Sequence, residues 1–205
     1  MITACAVDAR AGLVQPTSAT AESEFSGSYD IGNAIDGSGL PAGFTPASAH
    51  ATYTTHNHWT TKAAAVNEGK ANASFFFADP VHLDAFHLWN HRSNGIASNA
   101  FYEVTSFDLA FYDSGGMLLR SILGLSALGE TATAQTYHFP IVIDVSRVDF
   151  KIVANQGLPR GTNPNYTGVA EVAFNAVAVP EPSTIALGLL GAGFGLARAA
   201  RRRRA

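Results

Sequence analysis

Apolar and polar residues alternate with a period of two along much of the chain. Between residues 104 and 112, Phe107, Leu109 and Phe111 fall on one face of an extended segment and Asp108 on the other. No amphipathic helical pattern of any length separates this segment from its neighbours, so we predict an all-β fold, an antiparallel sandwich. The other predicted strands lie at residues 19–24, 73–78, 83–90, 117–122, 141–145, 148–152 and 168–177.

Turn-forming residues separate these segments. Asp113 to Gly116 predicts a hairpin, and Asp79-Pro80 predicts the end of a strand. A stretch rich in Gly, Pro, Ser and Thr follows Gly37 and runs to Thr61, and it is predicted to be a loop. Structureless loops longer than about 15 residues are uncommon, which favours a functional or metal-ordered loop.

The histidines of this loop invite a metal interpretation. His56 and His58 share a face of an extended segment, but zinc needs three or four ligands and no other residue shows suitable spacing. We therefore favour solvated loop histidines over a zinc site. Trp59 and Trp89 are expected in the core.

The pattern changes completely at the C-terminus. A Pro-Glu-Pro triplet, which no helix or strand can continue through, precedes an apolar run from Ile185 to Ala197. Residues 183–200 would span about 27 Å as a helix, close to the roughly 30 Å of a bilayer core. Arginines after a span stay on the cytoplasmic side, which places the preceding chain outside. The residues of this tail signal are Pro180, Glu181, Pro182, Arg201, Arg202, Arg203 and Arg204.

The order of triplet, span and arginine cluster resembles the PEP-CTERM sorting tail of Gram-negative bacteria. This resemblance covers residues 179–205 and implies one transmembrane helix, recognition by an exosortase and transient residence in the inner membrane. The body would then lie in the periplasm and pass to the cell surface or the extracellular exopolysaccharide. A plain C-terminal membrane anchor is the alternative.

The charge of the body limits its partners. Of the 13 basic and 16 acidic residues, five and one lie in the tail, which leaves 8 and 15 and a net charge of −7. A body this acidic argues against nucleic acid as a partner, and it is compatible with cation binding.

The single cysteine, Cys5, excludes an internal disulfide. It lies in a sequence similar to a lipoprotein processing box, and Ala9-Arg10-Ala11 matches a signal-peptidase pattern. We interpret residues 1–12 as the remnant of a signal peptide and expect the native start upstream. Mass spectrometry of the exported protein tests this, and a mature form that retains Met1 would contradict it.

The body, residues 13–178, resembles the discoidin or coagulation-factor type C domain, a galactose-binding-like jelly roll. The resemblance rests on four segments in order, although here about twenty residues separate the second from the first. They are Asn33-Ala34-Ile35-Asp36-Gly37, Asn57-His58-Trp59, Phe86-His87-Leu88-Trp89-Asn90 and the segment from Gly168 to Phe174.

The resemblance implies a structural calcium ion between the Asp-Gly loop and the glutamate of the last strand. Carried over by position, its ligands would be Ala34, Asp36, Ser38, Asn57 and Glu171. Calcium prefers six to eight oxygen ligands, which such loops supply. The alternative is that Asp36 caps a turn and Glu171 is a solvated strand residue.

Ligands of such jelly rolls usually bind to the loops at one end. Arginine and asparagine can hydrogen-bond sugar hydroxyls, and an aromatic ring can stack on a sugar, so six loop residues are candidates, although ordinary loop chemistry is the alternative for each. They are His91, Arg92, Asn94, Arg160, Asn163 and Tyr166.

No nucleophile elbow, zinc-protease motif or phosphate loop is present in the sequence. We therefore expect a non-catalytic, carbohydrate-binding module rather than an enzyme. The alternatives are a structural component of the surface or biofilm without a specific ligand, and a metal-dependent hydrolase that uses the histidine-bearing loop.

Overall fold

Antiparallel strands form the fold in this computed structural model, which describes residues 12–95, 99–157 and 165–178. Six strands follow the order β1-β8-β4-β7-β5-β6, while β2 pairs with β4 and β3 with β8. The strands of the described residues are β1 (Gly12–Val14), β2 (Ser18–Ala21), β3 (Trp59–Thr60), β4 (Asn72–Asn90), β5 (Val104–Tyr112), β6 (Leu118–Ser126), β7 (Gln135–Asn155) and β8 (Gly168–Ala176).

Two strands are long enough to run through both layers of the sandwich. The first half of β4 pairs with β2, and its second half, from Leu83 onward, pairs with β8. Phe86 lies opposite Phe174 in that second half, and Phe75 lies eleven residues earlier, or roughly 36 Å away along a straight strand. Nevertheless the rings of Phe75 and Phe174 are 6.3 Å apart. Strand β4 therefore folds back, and the continuous sheet closes over itself.

The fold-back occurs where the sequence predicted a break. The β4–β7 register shifts between Phe76 and Val81, again before Leu83, and again before Ala85. Pro80 is exposed in this irregular stretch, where its missing N–H removes no regular ladder bond. Residues 73–78 and 83–90 are thus one bent strand. Residues 141–145 and 148–152 are likewise joined in β7, whose bend includes Asp144 at a φ of 60°.

Phenylalanines from both layers meet in the core. Phe86 contacts Phe107, Phe150 and Phe174, with ring centroids between 5.2 and 5.8 Å apart. All four side chains are fully buried, and each contributes about 1.5–3 kcal/mol relative to an exposed ring. The phenylalanines that the alternating pattern places on the inner faces therefore hold the two layers together.

The hairpin at Asp113 is confirmed. Its Oδ1 accepts hydrogen bonds from the backbone N–H groups of Gly115 (2.9 Å) and Met117 (2.8 Å), and β5 pairs with β6 on either side. An Asx-type turn of this kind reverses the chain without help from other elements.

The long segment between β2 and β4 is ordered by short elements. A 3-10 turn, Ile31–Ala34, is capped by Asp30, whose Oδ1 accepts from the N–H of Gly32 at 2.9 Å. The Trp59 indole is fully buried and donates to the Ser23 carbonyl at 3.0 Å. The core position predicted for Trp59 is confirmed, as is the antiparallel all-β class of the fold.

The chain divides into two units, and the strands belong to the unit Arg10–Val177. A second 3-10 turn, Asn99–Tyr102, precedes β5. Within the described ranges no helix is long and apolar enough to cross a membrane. The predicted span and the segment interpreted as a signal-peptide remnant lie outside those ranges, except for Gly12.

Candidate functional site

The end of β4 holds the long loop in place. The fully buried Trp89 indole donates to the Ser48 carbonyl at 2.9 Å, and its ring makes an edge contact with Phe44. Arg92 binds the loop twice more, since its Nη1 donates to the carbonyl of His50 and its own carbonyl accepts from the Tyr53 N–H at 2.8 Å. The loop predicted to be functional is therefore packed against the C-terminal end of β4, a core strand.

Two histidines of this loop are buried rather than solvated, which corrects the interpretation from sequence. His50 is 1% exposed and His58 is fully buried, whereas His56 is exposed. Nδ1 of His58 donates to the Asn57 Oδ1 at 2.8 Å and its Nε2 accepts from the Arg92 N–H at 3.3 Å, which fixes the tautomer. Burial lowers the pKa of His58, and the neighbouring His91 and His50 lower it further, so the ring is neutral at pH 7.

Five aromatic rings form a closed circuit beside these histidines. Successive centroids are 5.7, 5.3, 6.1, 5.4 and 5.4 Å apart, so each ring contacts the next and the last contacts the first. We call this group the aromatic circuit, and its members are Phe25, Tyr29, Tyr53, Tyr102 and Tyr166. Phe25 is 48% exposed and the tyrosines at positions 29, 53, 102 and 166 are partly exposed.

Two phenol groups of the circuit are partly withdrawn from water. Burial raises the pKa of Tyr53, and the nearby Tyr29 and Tyr102 raise it further. Burial also raises the pKa of Tyr102, followed by the effects of Tyr166 and Tyr29. The phenols of Tyr53 and Tyr102 are therefore neutral at pH 7 and can both donate and accept hydrogen bonds.

The structure brings some of the six candidate ligand residues to the circuit. Tyr166 is a member, Arg92 is partly buried beside Tyr53, and Asn94 is exposed two residues further on. His91 is fully buried and contacts Tyr53 and Tyr102 from beneath, so it supports these rings and does not face solvent. The remaining two candidates, Arg160 and Asn163, lie outside the described residues.

Phe25, Tyr29, Tyr53 and Tyr102 were not predicted from the sequence. A signal was present, since five of the six tyrosines fall outside the predicted strands, where burial alone does not explain them. Nothing local to these positions, however, shows that they converge.

The Asp36-Gly37 loop of the candidate calcium site lies next to Glu171. This side chain is fully buried in β8, and its two oxygens accept hydrogen bonds of 3.0 Å from the Gln15 Nε2 and the Gly37 N–H. Burial raises the pKa of Glu171 to about 8, and the charge of Asp36 contributes to the rise. Glu171 is therefore not the solvated strand residue of the alternative interpretation.

Asp36 and Ser38 adjoin this carboxylate. Asp36 is exposed and its Oδ1 accepts from the Ser38 N–H at 2.7 Å, as expected for an Asx turn. Among the described residues, the buried Oγ of Ser38 has no hydrogen-bond partner. The Asp36 carboxylate and the Ser38 hydroxyl are oxygen groups of the kind that calcium prefers.

The two other candidate ligands behave differently. The Oδ1 of Asn57 already accepts from Thr54 N–H at 2.8 Å and from His58, so its side chain organises its own loop. Ala34 is buried at the end of the 3-10 turn. Within the described ranges no three His, Cys, Asp or Glu side chains converge in a way that could hold a metal ion.

Residues 178–204 match the PEP-CTERM protein-sorting motif, which marks an exported, membrane-sorted protein. No curated protein matches the chain in sequence.

The body is similar in fold to several solved structures. An F5/8 type C domain from Bacteroides fragilis is 19% identical, with a TM-score of 0.53, over 79% of this chain and 92% of that one. The lectin domain of lectinolysin, solved with Lewis b antigen, is 14% identical with a TM-score of 0.55, over 78% and 93%. The family 32 CBM of C. perfringens NanJ, solved with galactose, is 16% identical with a TM-score of 0.51, over 77% and 91%. The chain thus carries a PEP-CTERM sorting motif behind a body with the fold of F5/8 type C domains.

Proposed function

We propose that the protein is an exported, non-catalytic module that binds a glycan with the aromatic circuit. The observation that carries this proposal is the closure of five partly exposed rings at the loop end of the sandwich. Three of the similar folds were solved as lectin or carbohydrate-binding domains with a sugar bound, which supports the same class of ligand here.

The chemistry of the circuit suits a sugar. A pyranose ring has an apolar face of C–H groups, which packs on an aromatic ring, and a rim of hydroxyls, which needs donors and acceptors. The phenols supply both, while Arg92 and Asn94 add donors at the edge. The buried His58 and His91 hold Tyr53 from the opposite side, so the binding surface is rigid before the ligand arrives.

A glycan array tests this proposal directly. We expect the full chain to bind at least one class among galactose-terminated, fucosylated and uronate oligosaccharides. Phe25→Ala removes an exposed ring and should abolish that binding, whereas Leu128→Ala, at an exposed position outside the circuit, should not. Equal binding by the two variants would contradict the proposal.

We further propose that the tail crosses the inner membrane as one helix and is removed by an exosortase. The support is the sorting-motif match together with the apolar run and the arginine cluster. The released body would reach the surface or exopolysaccharide. In the native host, mass spectrometry should find a mature form that ends near Glu181, and Glu181→Ala should leave the intact chain in the membrane. An unprocessed soluble chain would contradict this route.

Finally, we propose calcium as a structural ion at Asp36, Ser38 and Glu171. The buried Glu171 carboxylate beside a second acidic group supports the site, because a cation would relieve the cost of holding both charges. The ion would tie the Asp36 loop to β8, close to the base of the long loop.

A further inference from the structure

A trough crosses the outer face of the sheet, in strands that do not contribute to the aromatic circuit. It has a volume of about 450 Å³ and runs across β2, β4, β7, β5 and β6. Volumes between about 300 and 1,000 Å³ are typical of ligand sites.

The strand register explains the trough. Five short side chains lie in one row across the five strands, because each is the register partner of the next. They are Thr20, Ser74, Asp149, Ala110 and Ser121, and the first four form the floor of the trough. With strands about 4.8 Å apart, this floor extends roughly 14 Å from β2 to β5.

Longer side chains flank this floor on both sides. Two positions along the strands in one direction lie Phe76, Arg147 and Tyr112, with the Arg147 guanidinium 4.0 Å from the centroid of the Tyr112 ring. In the other direction a polar row lies at the same spacing, and it consists of Glu22, Asn72, Lys151 and Asp108. The small side chain of Ala110, between those of Asp108 and Tyr112 on β5, leaves the space that forms the trough.

The polar groups of the trough are held in place by hydrogen bonds, and some of their donors and acceptors have no partner. Asp149 Oδ1 accepts from the Ser74 hydroxyl at 2.7 Å and lies 3.0 Å from Arg147 Nε, and Asp108 Oδ1 accepts from the Gly124 N–H at 2.8 Å. Over the ranges that the structure describes, the second carboxylate oxygen of each aspartate and the Lys151 ammonium have no hydrogen-bond partner. These three groups remain available to a ligand.

We propose that this trough is a second binding site, independent of the aromatic circuit, for a neutral polysaccharide chain. Carboxylates accept strong hydrogen bonds from sugar hydroxyls, and Lys151 donates to them. The acidic groups Glu22, Asp108 and Asp149 outnumber the cations Lys151 and Arg147, so uronate chains are repelled. An elongated polar floor open at both ends suits a linear chain rather than a single sugar.

The test combines NMR mapping with two variants. The ¹⁵N-labelled full chain is titrated with galactan, glucan and mannan oligosaccharides as neutral probes and with an alginate oligosaccharide as the uronate probe. We expect a neutral probe to shift the amide signals of Ser74, Ala110 and Lys151, and the uronate probe to leave them unchanged. Ala110→Leu fills the floor and should weaken this binding by about tenfold or more. Ala78→Leu is the matched control, because Ala78 is exposed in the irregular stretch of β4 and does not line the trough.

The outcomes separate the two sites. Binding that Ala110→Leu weakens and Phe25→Ala preserves supports the trough, and the reverse result overturns the trough while supporting the circuit. The absence of shifts at the trough with every neutral probe overturns it, as does stronger binding of the uronate.

Discussion

The side-chain amide of Asn90 exchanges two hydrogen bonds with the backbone of Val104, in the way that paired residues of neighbouring antiparallel strands do. The Asn90 Nδ2 donates to the Val104 carbonyl at 2.8 Å, and the Val104 N–H donates to the Asn90 Oδ1 at 3.0 Å. Asn90 is 1% exposed and also donates to the Leu128 carbonyl at 2.9 Å. This one side chain fixes the end of β4 to the start of β5, and the adjacent His91 contacts Tyr53 and Tyr102 of the aromatic circuit.

Replacing Asn90 should therefore be costly. Asn90→Ala removes both side-chain partners of the buried Val104 backbone, whereas the Leu128 carbonyl still accepts from the Gln135 Nε2 at 2.8 Å. We expect the free energy of unfolding to fall by about 2–4 kcal/mol. Urea denaturation measures the loss. A decrease below about 0.5 kcal/mol would show that water replaces the amide at no cost.

The pairing of β3 with β8 depends on a glycine. An added Cβ at Gly168 would lie 2.0 Å from the backbone oxygen of Trp59, so Gly168→Ala must force the strands apart. We expect a loss of about 3 kcal/mol. Gly27→Ala is the control, because nothing lies within 4 Å of its added Cβ, and its stability should stay within about 0.5 kcal/mol.

Glu103 should make stability depend on pH. Burial raises its pKa from 4.5 to about 7, and the charge of Glu130 raises it too, although the Glu130 N–H donates to Glu103 Oε1 at 3.0 Å. Between these two pH values the unfolded chain loses the proton and the folded chain keeps it, so stability falls as pH rises.

Glu103→Gln isolates this effect. The difference in unfolding free energy between the wild type and the variant should change between about pH 4.5 and 7 and stay constant above that range. Denaturation across this range provides the measurement. A difference independent of pH would mean that the Glu103 carboxyl titrates normally.

Calcium should stabilise the wild-type protein. Binding to the folded state alone adds about 2.7 kcal/mol when the ion is at a hundred times its Kd. We expect calcium to raise Tm and a chelator to lower it, and Glu171→Gln should abolish both shifts. Glu68→Gln, at an exposed ion pair with Lys70, should retain them. A wild-type Tm that responds to neither reagent would exclude the site.

Period-two alternation was sufficient to predict the antiparallel fold, because strands such as β5 bury alternate residues in the core. It did not predict that residues 73–90 form one strand, since Asp79-Pro80 usually ends a strand and only the pairing with β7 carries the chain past it. The segment from Gln135 to Phe139 was also missed, although Tyr137 and Phe139 alternate with the more exposed Thr136 and His138 in the sequence.

The candidate site was harder to predict than the fold. Arg92 and Tyr166 were found because loop ends commonly bind ligands, but the aromatic circuit joins residues as far apart as 25 and 166. Burial of His50 and His58 likewise depends on the contact between the loop and Trp89, which no local pattern reports. Long-range packing, rather than composition, decides which polar residues remain accessible.

The passage of β4 and β7 through both layers has a consequence for how the domain fails. Neither layer can unfold on its own, because its unfolding would also break the pairing of β4 and β7 in the other layer. We expect a single cooperative unfolding transition, so that a molecule outside the cell is either intact or fully accessible to proteases, with no half-open form in between.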